Sequence, residues 1–359
     1  MIPKIIAFYL PQFHSIPEND KWWGRGFTEW TNTSKSKPLY KGHYQPREPL
    51  NDNYYNLLDS NTQEWQAKVA KQNGIYGFCY YHYWFNGKML IEKPMENMLK
   101  NKNIKIPFCI SWANEPWTRN WDGRNREVLM HQFYGDRLEW EEHFQYLINF
   151  FEDDRYILKD NKPVFLLYRT NSIDNCEKMV EYWNQRCKDY GFDGIYIVET
   201  LTGHQKSSHI KNSSAVAEME PMHTIRHGLP ILTQGKRYII KKLNKYMNIH
   251  DRISYIKTWD CILKKHRSYN DKKVFLGGFV DWDNSARWGK RAMIMEGANP
   301  KLFSEYFKKQ FEIAKQIKSD FIFFNAWNEW AEGTYLEPDK KYEYNYLKEI
   351  KKITNNTNN

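Results

Sequence analysis

Long apolar runs are missing from this chain, and no stretch approaches the ~20 residues needed to cross a bilayer. The N-terminal run Ile5-Ile-Ala-Phe-Tyr-Leu10 is too short for a signal peptide and reads as a first strand, so a soluble cytoplasmic protein is expected. No glycine-rich phosphate loop follows any strand-like run, which argues against a nucleotide or dinucleotide fold. The 5 cysteines, Cys79, Cys109, Cys176, Cys187 and Cys261, are odd in number and lack metal-like spacing. They read as reduced thiols, and neither a metal nor a cofactor is expected. Acidic residues are outnumbered, 43 against 53 Lys and Arg, for a net charge of +10. That excess suits an anionic partner and allows peripheral membrane contact through a basic surface. No nucleic-acid motif accompanies it, and lysines such as Lys241, Lys242, Lys348 and Lys351 read as solvated helix faces.

Aromatic residues, in contrast, are abundant at 17%, with 15 Trp and 25 Tyr. Flat amphipathic rings stack on the C–H faces of sugars, and here they gather just beyond apolar runs instead of filling them. Those runs are Ile5–Leu10, Ile75–Phe85, Ile106–Ile110, Val164–Tyr168, Ile195–Val198, Ser214–Met219, Val274–Val280 and Phe321–Ala326. Helical periodicity separates most of them, as over Thr62–Asn73, which ends at an Asn73-Gly74 stop. About eight strands alternating with helices predict an α/β chain, a single (β/α)8 TIM-type barrel with long βα loops. A doubly wound open sheet is the alternative. The expected organisation is one catalytic domain over 1–354, a long aromatic loop at 11–60 folded over a cleft, and a frayed tail at 355–359.

The last run ends in Asn325-Ala-Trp-Asn328-Glu329-Trp330-Ala-Glu332-Gly333-Thr-Tyr335, where strand chemistry changes abruptly to carboxylates, amides and indoles. Two glutamates three residues apart, hemmed in by aromatic rings, resist ionising together, so one becomes a proton donor near neutral pH. Glycosidic-bond chemistry requires such a pair. A solvated turn capped by Gly333 is the plain alternative. A second constellation, Asn114-Glu115-Pro116, lies at a strand end and suits sugar binding or acid/base work. His82 between two tyrosines can orient a carboxylate or simply be hydrogen-bonded in the core. Asp281 and Asp283 suit sugar hydroxyls, and Arg119, Arg169 and Arg287 suit anion clamps or ion pairs.

Several co-linear segments carry a family resemblance: Phe8-Tyr-Leu-Pro-Gln-Phe-His14, Trp22-Trp-Gly-Arg-Gly-Phe-Thr-Glu-Trp30, Gly77-Phe-Cys-Tyr-Tyr-His-Tyr-Trp84, Trp112-Ala-Asn-Glu-Pro-Trp-Thr-Arg119 and Phe324-Asn-Ala-Trp-Asn-Glu-Trp-Ala-Glu-Gly333. Together they resemble the WbsX family of surface-polysaccharide functions, spanning nearly the whole chain. Asn328-Glu-Trp-x-Glu-Gly-Thr334 with Glu337-Pro338 is more distantly similar to glycoside hydrolase family 99, retaining endo-α-mannosidases and mannanases on a (β/α)8 barrel. By that resemblance Glu329 would deprotonate a sugar 2-hydroxyl and Glu332 would act as general acid and then base on a manno-configured substrate. The Trp22 to Trp30 insertion and the Tyr80 to Trp84 cluster depart from family 99.

The expectation is therefore a barrel that cleaves or transfers a glycosidic bond with retention in bacterial surface-polysaccharide metabolism, Glu329 and Glu332 carrying the chemistry. Substrate-binding candidates from the first half are Tyr9, Trp22, Trp30, Tyr81 and His82, then Trp112, Asn114, Glu115, Trp117 and Arg119. From the second half come Asp281, Asn328, Trp330 and Tyr335. The expected partner is an oligosaccharide or a lipid-linked polysaccharide precursor. A glycosyltransferase using an activated donor and a non-catalytic glycan-binding barrel are the alternatives.

Overall fold

The computed structural model describes residues 2–119, 127–244, 246–247, 249–269 and 271–355. Eight parallel strands are hydrogen-bonded in chain order: β1 (Lys4–Tyr9), β2 (Ile75–Phe85), β3 (Phe108–Trp112), β4 (Lys162–Leu167), β5 (Tyr196–Leu201), β6 (Ala215–Glu218), β7 (Lys273–Phe279) and β8 (Phe321–Asn325). β1 pairs with both β2 and β8, Ala7 lying opposite Phe78 on one side and Phe324 on the other. The sheet thus closes into a (β/α)8 barrel, and the open-sheet alternative is excluded.

Helices follow every barrel strand except β5. α1 (Pro17–Trp23), α2 (Glu29–Lys35) and α3 (Ser60–Gln72) follow β1, and α4 (Lys93–Lys100), α5 (Arg137–Phe151) and α6 (Cys176–Asp189) follow the next three. α7 (Met222–His227), α8 (Ile231–Leu243) and α9 (Tyr255–Lys264) lie between β6 and β7. α10 (Ser285–Trp288) and α11 (Pro300–Gln316) precede β8, and α12 (Asn345–Asn355) closes the chain. Local sequence explains the helix ends. Asp59 caps α3 by accepting from the Asn61 amide at 3.0 Å, and α11 starts with Pro300 behind the Asn299 cap. Gly74, after α3, adopts φ +85°, the left-handed conformation that ends a helix without a Cβ clash. The expected frayed tail at 355–359 is only partly visible, since Asn355 ends α12 and 356–359 lie outside the described residues.

Alternation along the strands sorts side chains between the barrel interior and the helix layer. Phe8, Tyr81 and Phe323 meet inside, with Phe8 stacked on Tyr81 at 5.4 Å. Their neighbours point out: Tyr9 donates to Gln66 on α3, and His82 lies against His143 on α5. Gly77 is required where β2 meets the turn before β3, because a Cβ there would come within 2.7 Å of the Pro107 carbonyl oxygen.

The 11–60 segment is a correction. It is a long connection that carries two short helices, α1 and α2, and a 3-10 turn at Leu50–Asp52, and the cleft-covering role is what the packing does not bear out. A capping box between Thr28 and Thr31 starts α2. Trp30 packs edge-on against Phe13 and Tyr55 and lies 5.2 Å from Trp330. The insertion is thus wedged beneath the segment after β8, because its aromatic residues gain more by joining the core than by covering a cleft. Among the described residues no helix is long and apolar enough to cross a membrane.

Candidate active site

Beyond β8 the chain folds back as a short hairpin, Asn328 opposite Tyr335 and Glu329 opposite Thr334, closed by a 3-10 turn over Trp330–Glu332. Two features lock this turn. Gly333 sits at φ +64°, where an added Cβ would lie 2.9 Å from the Asp283 Cβ, and the Asp283 amide donates to the Glu332 carbonyl at 2.7 Å. The Asn328 side-chain amide holds the other end, accepting from the Leu10 amide at 2.7 Å and donating to the Leu10 carbonyl at 2.9 Å. It therefore acts as an extra strand neighbour for β1, turned away from the cavity.

So held, Glu329 and Glu332 project into a cavity of about 400 Å³ at the C-terminal end of the barrel, where Tyr81, Tyr83, Tyr168 and Trp282 also contribute walls. Arg287, on α10, joins the pair. Its Nη1 donates to Glu332 Oε1 at 2.5 Å, and its Nη2 donates to Glu329 Oε2 at 3.1 Å and to Glu29 Oε1 at 2.8 Å. Glu29, fully buried on α2, also accepts from the Ala331 amide at 3.0 Å. Three carboxyl groups thus surround one guanidinium.

Burial pushes the Glu329 carboxyl well above the usual carboxylate range, and Glu332 and Glu29 add to the rise while Arg287 opposes it. Glu332 is also raised, by burial first, against the pull of Arg287 and with a further push from Glu29. The same negative field acts on Arg287, which is held above its ordinary value by the three glutamates despite a desolvation cost in the opposite direction. With one cation among three carboxyl groups, burial and mutual repulsion favour the protonated form of Glu329 and of Glu332. An arrangement with one carboxyl protonated and one ionised can give and take a proton at the same substrate. Among the described residues no group of three or more His, Cys, Asp or Glu side chains is placed to hold a metal ion.

The remaining sequence candidates divide by strand alternation. Tyr81, Glu115 and Trp117 line the cavity, and Trp22 packs behind Trp117 at 6.3 Å. Glu115 pairs with Arg169 at 2.6 Å. Tyr9, His82 and Trp112 point outward and do not reach the cavity. His82 faces His143 Nε2 at 2.9 Å, with burial lowering its pKa to about 3, and the Trp112 indole donates to the Trp84 carbonyl at 3.2 Å. Asn114 repeats the Asn328 device, exchanging two 2.8 Å hydrogen bonds with the Arg169 backbone.

Trp330 and Tyr335 stack on each other at 3.8 Å behind the hairpin. They donate to Glu337 at 2.7 Å and to Asp339 at 2.8 Å, respectively. Trp30 lies beneath them, and Arg119 pairs with Glu127 at 3.2 Å away from the cavity lining. Asp281 pairs with Arg47 at 2.9 Å in a separate pocket of about 350 Å³ behind the β7 loop.

Four contributors escaped the candidate set: Tyr83, Tyr168, Trp282 and Glu29. Tyr83 shares the inward face of Tyr81, and the period of two was the signal that could have found it. Tyr168 ends the fourth apolar run facing inward. Glu29 lies within the Trp22–Trp30 segment that carries the family resemblance, but its role was hidden because its partners lie hundreds of residues away in sequence.

Known proteins share the fold and the sequence pattern of this chain. A protein described as WxcX, uncharacterised, from Xanthomonas campestris pv. campestris is 32% identical over 350 residues, covering 96% of this chain and 48% of its own length. The chain therefore spans about half the length of the curated relatives it matches. Among solved structures, a glycoside hydrolase-like protein superposes with a TM-score of 0.60 at 13% identity, covering 98% of this chain and 94% of the other. The GH99 endo-alpha-mannosidase from Bacteroides thetaiotaomicron gives 0.56 at 11% identity, covering 99% and 97%. At such identities the shared property is the barrel fold. Sequence supplies the rest: the family described as Glycosyltransferase WbsX matches residues 5–350, and with the paired glutamates on a barrel rim already in view, this chain belongs to that carbohydrate-active family.

Proposed function

We propose that this barrel breaks or transfers a glycosidic bond, with Glu329 and Glu332 as its proton-transfer pair. The observation that carries the reading is their convergence on Arg287 inside an aromatic-walled cavity, with both carboxyl groups raised by burial. In the proposed reaction the proton that the pair shares passes from the more strongly raised Glu329 to Glu332 when substrate binds, and Glu332 gives it to the leaving oxygen as the C1–O bond breaks. Glu329 takes the proton of the 2-hydroxyl, whose oxygen bonds to C1. An acceptor hydroxyl, from water or a sugar, then loses its proton to Glu332 as it attacks C1, and O2 leaves C1 and regains the proton from Glu329. Two inversions amount to retention. The intramolecular step needs a 2-hydroxyl that can reach the anomeric carbon from the face opposite the leaving group, which favours a manno-configured substrate. Tyr81, Tyr83 and Trp117 offer the faces and hydroxyls to seat a sugar ring. The proposed substrate is an oligosaccharide or a polysaccharide repeat carried on a lipid, and cytoplasmic work on such a precursor is part of the same proposal.

The test is a product assay on manno-configured oligosaccharides and lipid-linked repeats with the native chain, Glu329→Gln and Glu332→Gln. Retained anomeric configuration by NMR, with product lost in both variants, is the expected result. Activity that survives both substitutions overturns the assignment. The family description favours a second reading, a transferase fed by an activated donor. It predicts product only when a nucleotide sugar or polyprenyl-phosphate sugar is supplied.

A further inference from the structure

The helix α8 is turned inside out. Amphipathic surface helices bury an apolar stripe and expose a polar one, yet no residue of α8 is buried, and its largest apolar side chains are the most exposed. Ile231 is 87% exposed and Leu232 88%, and Tyr238, Ile239 and Leu243 are also exposed. At 100° per residue these five fall on one continuous stripe, which Tyr246 and Met247, also exposed, extend beyond the helix end. Polar groups hold the opposite side to the body of the protein. Arg237 makes two 2.9 Å hydrogen bonds to the buried Asp251 carboxylate, Asn244 donates to the Lys290 carbonyl at 2.6 Å, and Gln234 donates to the Leu229 carbonyl at 2.9 Å. The helix is therefore fixed in place with its apolar side presented outward.

Charge indicates what covers that side. From Gly228 to His250 the sequence contains five Lys and Arg and no Asp or Glu. Lys236 is exposed at one edge of the stripe and Lys242 is exposed within it, lying over the Tyr238 ring at 4.7 Å. A second copy docked through this side would set lysine against lysine with no carboxylate between them. An anionic lipid surface meets both demands at once, since acyl chains accept the apolar stripe and headgroups accept the lysines.

We infer that α8 is a membrane-docking helix that seats the barrel on an anionic lipid surface. Its position fits that role. Asn244 holds the segment Gly289–Arg291, which directly follows Arg287 and Trp288 in the cavity wall, so the docked side lies at the same end of the barrel as the cavity. Docking stands apart from the catalytic proposal, and neither depends on the other.

Co-sedimentation of the full chain with vesicles tests it, using phosphatidylcholine alone or mixed in equal parts with phosphatidylglycerol. The native chain is expected to partition at least ~10-fold more strongly onto the mixed vesicles, and to lose most of that preference at high salt. Ile231→Ser, Leu232→Ser and Ile239→Ser combined should reduce partitioning at least ~10-fold, and Lys236→Glu with Lys242→Glu should abolish the preference for phosphatidylglycerol. Because these side chains face outward, melting temperatures should match the native chain, which separates lost docking from lost folding. A native chain that stays in the supernatant overturns the inference, as does partitioning untouched by the serine substitutions. Self-association that disappears in the serine variant, without vesicle binding, overturns it as well and assigns the face to a second copy.

Discussion

The dipeptide Asn-Glu occurs at the rim of this barrel after β3 and again after β8, and the two copies have different surroundings. Both asparagines do the same work, each clipping its loop to the neighbouring strand end through two backbone hydrogen bonds. The glutamates part company. The Glu115 side chain is 35% exposed and meets one guanidinium, that of Arg169, in a one-to-one pair. The Glu329 side chain is 9% exposed and shares Arg287 with two other carboxyl groups. A partly exposed one-to-one pair leaves no excess charge to compensate, whereas the buried excess of carboxyl groups around Arg287 raises Glu329 and Glu332. The same two residues at the ends of two strands thus give a partly exposed ion pair in one place and a buried carboxyl cluster in the other.

The largest expected contrast is catalytic. Glu329→Gln and Glu332→Gln should each lower turnover of an accepted glycan by ~10²–10⁴-fold, and Glu115→Gln by less than ~10-fold. Initial product rates decide this, and an equally deep loss at Glu115 would erase the distinction. The next contrast is in the cations. Arg287→Met leaves buried carboxyl groups without their partner and should cost ~3–5 kcal/mol in urea unfolding at pH 7, with the deficit shrinking as acid protonates the cluster. Arg169→Met should cost less than ~1 kcal/mol.

Behind the β8 hairpin, Glu337 is raised by burial to about 7 from its ordinary 4.5, against the hydrogen bonds it accepts from Trp330, Tyr55 and Gln66. Above pH 4.5 the unfolded chain releases this proton while the folded chain keeps it, so stability falls as the pH rises towards 7 and then levels off. The Glu337 share of that fall is ~3 kcal/mol, and Glu337→Gln should remove it from urea unfolding curves compared at pH 5 and pH 7.5. The last contrast is between the clips. Asn114→Ala and Asn328→Ala should each cost ~2 kcal/mol of stability through unpaired backbone groups. Only Asn328→Ala should also depress turnover, because its loop carries the carboxyl pair.

Much of this was legible without coordinates. Eight apolar runs separated by helical periodicity specify the barrel, since each pattern is local and its period reports the backbone conformation directly. The abrupt change after Phe324 located the glutamate pair. The outward residues were harder. His82, Trp112 and Asn114 stand beside inward residues in the same rich segments, and aromatic content alone does not reveal which phase of the alternation faces the cavity. Within the 11–60 segment, Trp30 packs under the hairpin while Trp22 backs the cavity residue Trp117, and tryptophans in these two settings look alike in sequence.

The strand and helix order, the clustering of aromatic residues at the strand ends and the spacing of Glu329 and Glu332 were determined by the sequence itself, because each depends on residues within a few positions of one another. Only the tertiary structure decided that Glu29, 258 residues before Arg287, completes the charge cluster. It also decided that α8 turns its apolar stripe outward, against the rule its amphipathic pattern would suggest. Both depend on where distant segments come to rest, and the energies of burial and of charges in a low-dielectric interior exist only once the chain has closed around them.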